Sequence, residues 1–317
     1  MMTVILSVNI ELLNDRRASA CQLQIPVDLQ KDEVDQMAEE IEYLLKKAAE
    51  AVSEAEALVI TAGAGMGVDS GLPDFRGDEG FWNAYPPYRH LGVSFMQMAN
   101  PAWFHRDPHF AWGFYGHRRN LYRSTVPHRG FEILHRWGES MPCGYFVFTS
   151  NVDCQFQKAG FINERIDECH GSIEWNQCTE KCGAGVFVAD KNTLEIDETA
   201  MKVKGEMPSC PVCGALARPN ILMFGDFEWD SSREHRQNLL LQKWLDDNVS
   251  KKVAVVECGA GAAIPTVRHF GEGIASELKS AVLIRINPRD SVVPQGNIGL
   301  SLGSRAALEA IDRLIKG

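Results

Sequence analysis

The apolar run Leu58-Val-Ile-Thr61 leads straight into a glycine-rich turn, Gly63-Ala-Gly-Met-Gly67. An unbroken run without polar alternation suits a strand buried on both faces, and glycines at its end let the chain turn tightly away. The same signal recurs at 145–150 (YFVFTS), 220–224 (NILMF), 252–259 (KVAVVECG) and 281–287 (AVLIRIN). Between and after these runs stand stretches with helical periodicity: REHRQNLLLQKWLDDN, RHFGEGIASEL and RAALEAIDRLI. Strands alternating with helices predict an α/β fold, a mostly parallel sheet with helices on both faces. Two segments interrupt the alternation: residues 74–137 are aromatic-rich and read as a helical insertion, and residues 178–213 have little periodicity and are framed by cysteines. With 317 residues, 45% of them hydrophobic, the chain can build one large core and a smaller lobe.

Residues 1–49 read as an extension. Short strand-like patches (VILSVNIEL, CQLQIPVDL) precede an amphipathic helix that starts near Asp32 and runs toward Ala57. Such a helix covers a core or binds a partner. A formal net charge of −10 argues against a broad basic surface, so no direct nucleic-acid binding is expected. An acidic body is compatible with lysine-rich protein substrates. No apolar run reaches the length of a membrane span, and the opening MMTVILSVNIELL lacks the basic start and cleavage site of a signal peptide. Nine cysteines without an export signal point to a reducing, cytoplasmic setting.

Four of those cysteines form two close pairs, C-x3-C at Cys178 and Cys182 and C-x2-C at Cys210 and Cys213. Four thiolates can surround one Zn2+ and leave no open position, which makes the site structural. The other reading is four unrelated thiols. Cys21, Cys143, Cys154, Cys169 and Cys258 read as core thiols.

The turn at 63–67 lacks the third glycine of a dinucleotide fingerprint, since Val68 stands in its place. It is either a phosphate cradle or a plain strand-to-helix turn. Its continuation, SGLPDFRG, sets an acid, an aromatic ring and a guanidinium beside the turn. Asn151 and Asp153 follow a strand end, where open α/β sheets hold ligands, but either could also cap the next helix, QFQKAG. His170, in DECHGS, can be a hydrogen-bonding residue or a general base. Tyr115 and Arg118 (Y-x-x-R) share a helix face, either lining a pocket or lying at the surface.

Five ordered blocks of this sequence resemble the sirtuin family: Gly63–Gly77 (GAGMGVDSGLPDFRG), Thr149–Asp153 (TSNVD), His170-Gly171, Arg218–Asp226 (RPNILMFGD), and Gly259-Ala-Gly261 followed by Ile286-Asn287. The resemblance covers about residues 50–315 and implies a Rossmann-like catalytic domain over 50–317 with a zinc lobe. It implies an NAD-dependent protein-lysine deacylase that yields nicotinamide and O-acyl-ADP-ribose. The alternatives are protein mono-ADP-ribosyl transfer or NAD hydrolysis, and a non-catalytic NAD or ADP-ribose sensor. By the resemblance, His170 and Asn151 are catalytic. Gly63, Ala64, Gly65, Asp74, Phe75, Arg76, Ser150, Asn151, Asp153, Gly259, Ala260, Asn287 and Ser304 hold NAD. Tyr115, Arg118, Val152, Phe224 and Gly225 face an acylated-lysine protein substrate. The Y-x-x-R pair resembles the branch that removes succinyl or malonyl groups, whose distal carboxylate suits a guanidinium fork. The chain departs from the family pattern at Gly67, Ser150 and Ala260, each with a hydrogen-bonding side chain removed or shortened.

Overall fold

The computed structural model describes residues 5–7, 22–24, 31–73 and 77–317. Its centre is a six-stranded parallel sheet. From one edge to the other the strands are Ile298–Leu300, Ala281–Ile286, Val253–Cys258, Ala57–Ala62, Tyr145–Thr149 and Ile166–Glu168. The first strand of this sheet in the chain is therefore central. The chain builds outward on one side, returns to the centre, and builds outward on the other. Ala57–Ala62 and Val253–Cys258 flank the point where the order reverses, and ligands bind beyond the carboxyl ends of such strands.

Alternate side chains of each strand enter different cores. Leu58, Ile60 and Ala62 pack with Val147, Val256 and Ile284 under three helices, Lys31–Glu54, Arg129–Ser140 and Ser304–Lys316. Ala57, Val59, Phe146 and Val255 face the other way, against the helices Ser232–Asp247 and Thr266–Glu277. Double coverage accounts for the continuous apolar runs. In the first helix Ile41, Leu45, Ala48, Ala49 and Val52 form one buried stripe at helical spacing. The helix thus packs on the main core, and it runs on through residue 49, where the sequence reading ends the extension.

Two findings revise the expected layout. The run at 220–224 does not join the main sheet. Its first residues complete the strand Ala217–Ile221, which pairs antiparallel with Gly171–Cys178 in a separate three-stranded sheet. Pro219 has no N–H to donate, and the register shifts between it and Asn220, a pattern suited to an edge strand. The helical insertion and the cysteine-framed segment also share one core. Tyr88, Trp112, Phe114 and Tyr115 pack with Ile173, Met201, Val203 and Ile221. Trp112 Nε1 donates to the Ala217 carbonyl at 2.9 Å, and Arg119 Nε donates to the Ile173 carbonyl at 3.0 Å. The last helix read into the insertion, Arg129–Ser140, belongs instead to the main core.

At the tip of this lobe the sulfurs of Cys178, Cys182, Cys210 and Cys213 all lie within 4.8 Å of one another. The Cys178–Cys213 and Cys182–Cys210 separations are 3.6 and 3.5 Å. A tetrahedron with Zn–S bonds of about 2.3 Å has edges of about 3.8 Å, whereas a disulfide needs about 2.05 Å. The four thiols fit a metal and are too far apart for disulfides. Cys210→Ser is expected to reduce bound zinc from about one per chain to near zero by atomic absorption, and to open 178–216 to proteolysis. Undiminished zinc in the variant would remove Cys210 from the ligand set.

Candidate active site

The loops that leave the two central strands lock against each other. Gly65 N–H donates to the Gly259 carbonyl at 3.0 Å, and Gly63 N–H donates to the Cys258 carbonyl at 3.0 Å. Gly259 has φ +61°, and a Cβ there would stand 2.3 Å from the Gly65 carbonyl carbon. A Cβ on Gly63 would come within 2.8 Å of the Gly259 oxygen. These glycines let two backbones touch, so the remaining N–H groups of the two turns line a shared rim. The Ala260 carbonyl accepts from Arg268 Nε (3.1 Å) and from Asn287 Nδ2 (2.9 Å), which fixes the second loop. The Ala260 methyl is buried in the apolar core behind it, where a hydroxyl would need a partner.

These loops open into a cleft of about 540 Å³, a size ordinary for small-molecule sites. Gly63, Ala64, Gly65, Ser150, Asn151, Asp153, His170, Gly259, Ala260 and Asn287 from the expected catalytic and cofactor sets line it. So do Tyr115, Arg118, Val152 and Phe224 from the substrate set. Ser304 lies off the cleft. It is buried at the start of the last helix. Gly225, in the left-handed region at φ +68°, is also off the lining. Asp74, Phe75 and Arg76 lie outside the described residues. Sequence reasoning passed over Leu72, Phe95, Met223, Arg289 and Tyr122 in the lining. Of these, Tyr122 was within reach, because it stands one helical turn beyond Arg118.

Each polar group is held differently. Asn151 Nδ2 donates to the Gly63 carbonyl at 2.9 Å, tying the Thr149–Asp153 segment to the first glycine loop. Asp153 sits in the cleft wall and accepts from Gln155 N–H at 3.0 Å, so it does hold the start of the following short helix. Desolvation pushes its carboxyl up to about 6, with the positive charge of Arg118 opposing that rise. A Cβ on Gly67 would stand 3.1 Å from Leu72 Cδ1, so a larger residue here would crowd Leu72, and it would meet Asp153 Oδ2 in ordinary contact at 3.7 Å. His170 lies between the edge strand Ile166–Glu168 of the main sheet and the strand Gly171–Cys178 of the lobe. Its carbonyl accepts from Leu222 N–H at 3.0 Å. Burial lowers its pKa, which keeps the imidazole neutral at pH 7. Gly171, next to it, has φ +76°, and a Cβ there would overlap the Asn220 carbonyl at 2.1 Å. The His-Gly pair is thus a close crossing of two backbones.

The side of the cleft formed by the helix Pro108–Ser124 is aromatic. Tyr115 is buried, and its hydroxyl has no hydrogen-bond partner among the described residues. Arg118, also buried, lies over the rings of Phe114, Tyr115 and Tyr122 at 5.2–5.9 Å from their centres. Desolvation opposes its charge, and the neighbouring tyrosine oxygens favour it.

Residues 63–241 match the family model described as Sir2 family. The NAD-dependent protein deacylase of Aquifex aeolicus (strain VF5) is 32% identical over 169 residues, covering 53% of this chain and 62% of the relative. NAD-dependent protein deacylase 1 of Archaeoglobus fulgidus is 33% identical, covering 57% of this chain and 65% of the relative. The matched region thus spans a little under two thirds of these relatives. A deacylase from Aeropyrum pernix is 30% identical and is covered over 80% of its length. Among solved structures, a mutant Sir2 homologue in complex with ADP ribose superposes with TM-score 0.63 at 24% identity, covering 85% of this chain and 96% of that one. A Sir2 homologue–NAD complex superposes at 0.62 and 23% identity, covering 85% and 93%. At these identities the superpositions speak for the fold.

The raised carboxyl of Asp153 has a consequence for stability. A folded-state pKa above the unfolded value means that ionisation opposes folding. The cost is absent below the unfolded pKa, grows as pH rises, and is complete above about 6. A rise of this size corresponds to at most about 3 kcal/mol. In urea unfolding without ligand, Asp153→Asn is expected to gain stability over the unsubstituted protein between pH 4 and pH 8. An equal difference at both pH values would contradict the desolvation of an ionised Asp153.

Proposed function

Because the chain belongs to the Sir2 family, we propose that it removes acyl groups from protein lysine side chains, with NAD as co-substrate. The observation that carries this reading is convergence: two interlocked glycine loops, Asn151, Asp153 and a neutral His170 all line one cleft at the switch point of a parallel sheet. The residues suit NAD chemically. Backbone N–H groups of the glycine loops offer donors to a pyrophosphate. The desolvated Asp153 carboxylate, with one backbone donor, is an acceptor for a carboxamide N–H. Bound there, NAD supplies an anomeric carbon that nicotinamide can leave and an acyl oxygen can reach.

The protein's own groups supply position and proton handling. Asn151 Nδ2 is committed to the Gly63 carbonyl, which leaves its Oδ1 to orient a water or ribose hydroxyl. His170 takes a proton at a ring nitrogen, and burial keeps that nitrogen unprotonated at neutral pH. Val152, Met223 and Phe224 keep water from the acyl side. The orphaned Tyr115 hydroxyl and the buried Arg118 guanidinium suit an acyl chain that ends in a carboxylate, succinyl or malonyl. We assign the reaction to a reducing compartment, the cytoplasm. Cys143, Cys154, Cys169 and Cys258 are free thiols, and no helix among the described residues is long and apolar enough to cross a membrane.

The test is a product assay. With NAD and acetyl-, succinyl- or malonyl-lysine peptides, mass spectrometry should find nicotinamide, free lysine and O-acyl-ADP-ribose. His170→Ala should lower turnover by about 100-fold or more. ADP-ribosylated protein or free ADP-ribose as the sole product would replace deacylation with transfer or hydrolysis, and no nicotinamide release with any peptide would favour a sensor.

A further inference from the structure

The guanidinium of Arg118 does not hold its place in the cleft through packing alone. Its Nε and Nη2 both donate to the Tyr122 hydroxyl, at 2.9 and 2.7 Å. Tyr122 lies four residues on along the same helix, Pro108–Ser124, and therefore on the same face. It is buried and also lines the cleft. Its backbone is fixed as well. The Tyr122 carbonyl accepts from Gln155 Nε2 and from Lys158 Nζ, each at 3.1 Å. Gln155 comes directly after Cys154, and Lys158 follows three residues later on the same short helix. One tyrosine thus ties the end of the Asn151–Lys158 segment, on the nicotinamide side, to the cation on the acyl side.

We propose that Tyr122 is a specificity-determining positioning residue, holding Arg118 by its Nε edge so that a carboxylate-ended acyl chain is taken end-on through Nη1 and Nη2. This inference rests on the acidic-acyl reading above and adds a residue to it. A guanidinium carries five N–H groups in a rigid fork. A phenol oxygen that accepts two of them on one edge sets the rotation of the whole plane. A neutral hydroxyl does so without cancelling the positive charge, as a carboxylate at the same position would. Burial keeps Tyr122 in that neutral form by raising its pKa. The arrangement also directs the Tyr122 proton away from Arg118, since both phenol lone pairs receive donors.

The measurement is kcat and KM for a succinyl-lysine and an acetyl-lysine peptide of one sequence, at saturating NAD, for the unsubstituted protein, Tyr122→Phe and Arg118→Met. Tyr122→Phe removes one oxygen. It should cut the succinyl-to-acetyl ratio of kcat/KM at least tenfold, mainly through a higher KM for the succinyl peptide. Arg118→Met should cut the ratio further. Tyr122→Gln, which restores an acceptor oxygen, should recover part of the preference, and it carries the test if the phenylalanine variant does not fold. A succinyl preference unchanged in both Tyr122→Phe and Tyr122→Gln, but lost in Arg118→Met, overturns the role of Tyr122 and leaves the acidic-acyl reading standing. No succinyl preference in the unsubstituted protein overturns both.

Discussion

The contact between the loops after Ala57–Ala62 and Val253–Cys258 is the constraint on which the site depends. Two backbones meet at a distance that no side chain allows, since a Cβ on Gly259 would fall 2.3 Å from the Gly65 carbonyl carbon. Their approach leaves a rim of backbone donors at the point where the sheet order reverses. Asn151 reaches this rim from the next strand over and bonds to Gly63. Arg268 and Asn287 brace it from behind through the Ala260 carbonyl. Asn287 therefore acts here as a support: its Nδ2 holds Ala260, and its Oδ1 accepts from Arg289 and Asp290 N–H.

The second lobe completes the cleft. The helical insertion and the cysteine-tipped strands form one aromatic core, and a metal at the four sulfurs would staple its far end. The chain enters the lobe's three-stranded sheet through His170 and Gly171, so His170 stands where the two bodies meet. Arg118 and Asp153 face each other electrostatically across the cleft wall, with the guanidinium opposing the rise in the carboxyl's pKa that desolvation causes. The desolvated Asp153 carboxylate, and the buried Tyr115 hydroxyl with no partner among the described residues, both oppose folding.

Much of this could be read from the residues. Central parallel strands buried on both faces announce themselves as continuous apolar runs, and the paired cysteines announce a metal clamp. The edge strands Ile166–Glu168 and Ile298–Leu300 did not, because three residues carry no period. The run at 220–224 misled, because its apolar pattern is that of a buried strand while Pro219 and the register shift commit it to the lobe. Most of the residues named for the cleft do line it. Ser304 does not, since sequence order cannot tell that it is buried at the start of the last helix, off the cleft. The departures at Gly67 and Ala260 became intelligible only through packing. Leu72 crowds the first position, and the second faces an apolar core.

Hydrogen exchange with and without ADP-ribose tests the assignment of this cleft most directly. Backbone N–H groups that hold a pyrophosphate exchange slowly once it is bound, so protection should appear at 63–67 and 259–264, with a smaller effect at 150–153. Protection confined to the zinc lobe or to the outer helices, or no protection at saturating ligand, would contradict the assignment of the interlocked glycine loops as the cofactor cradle.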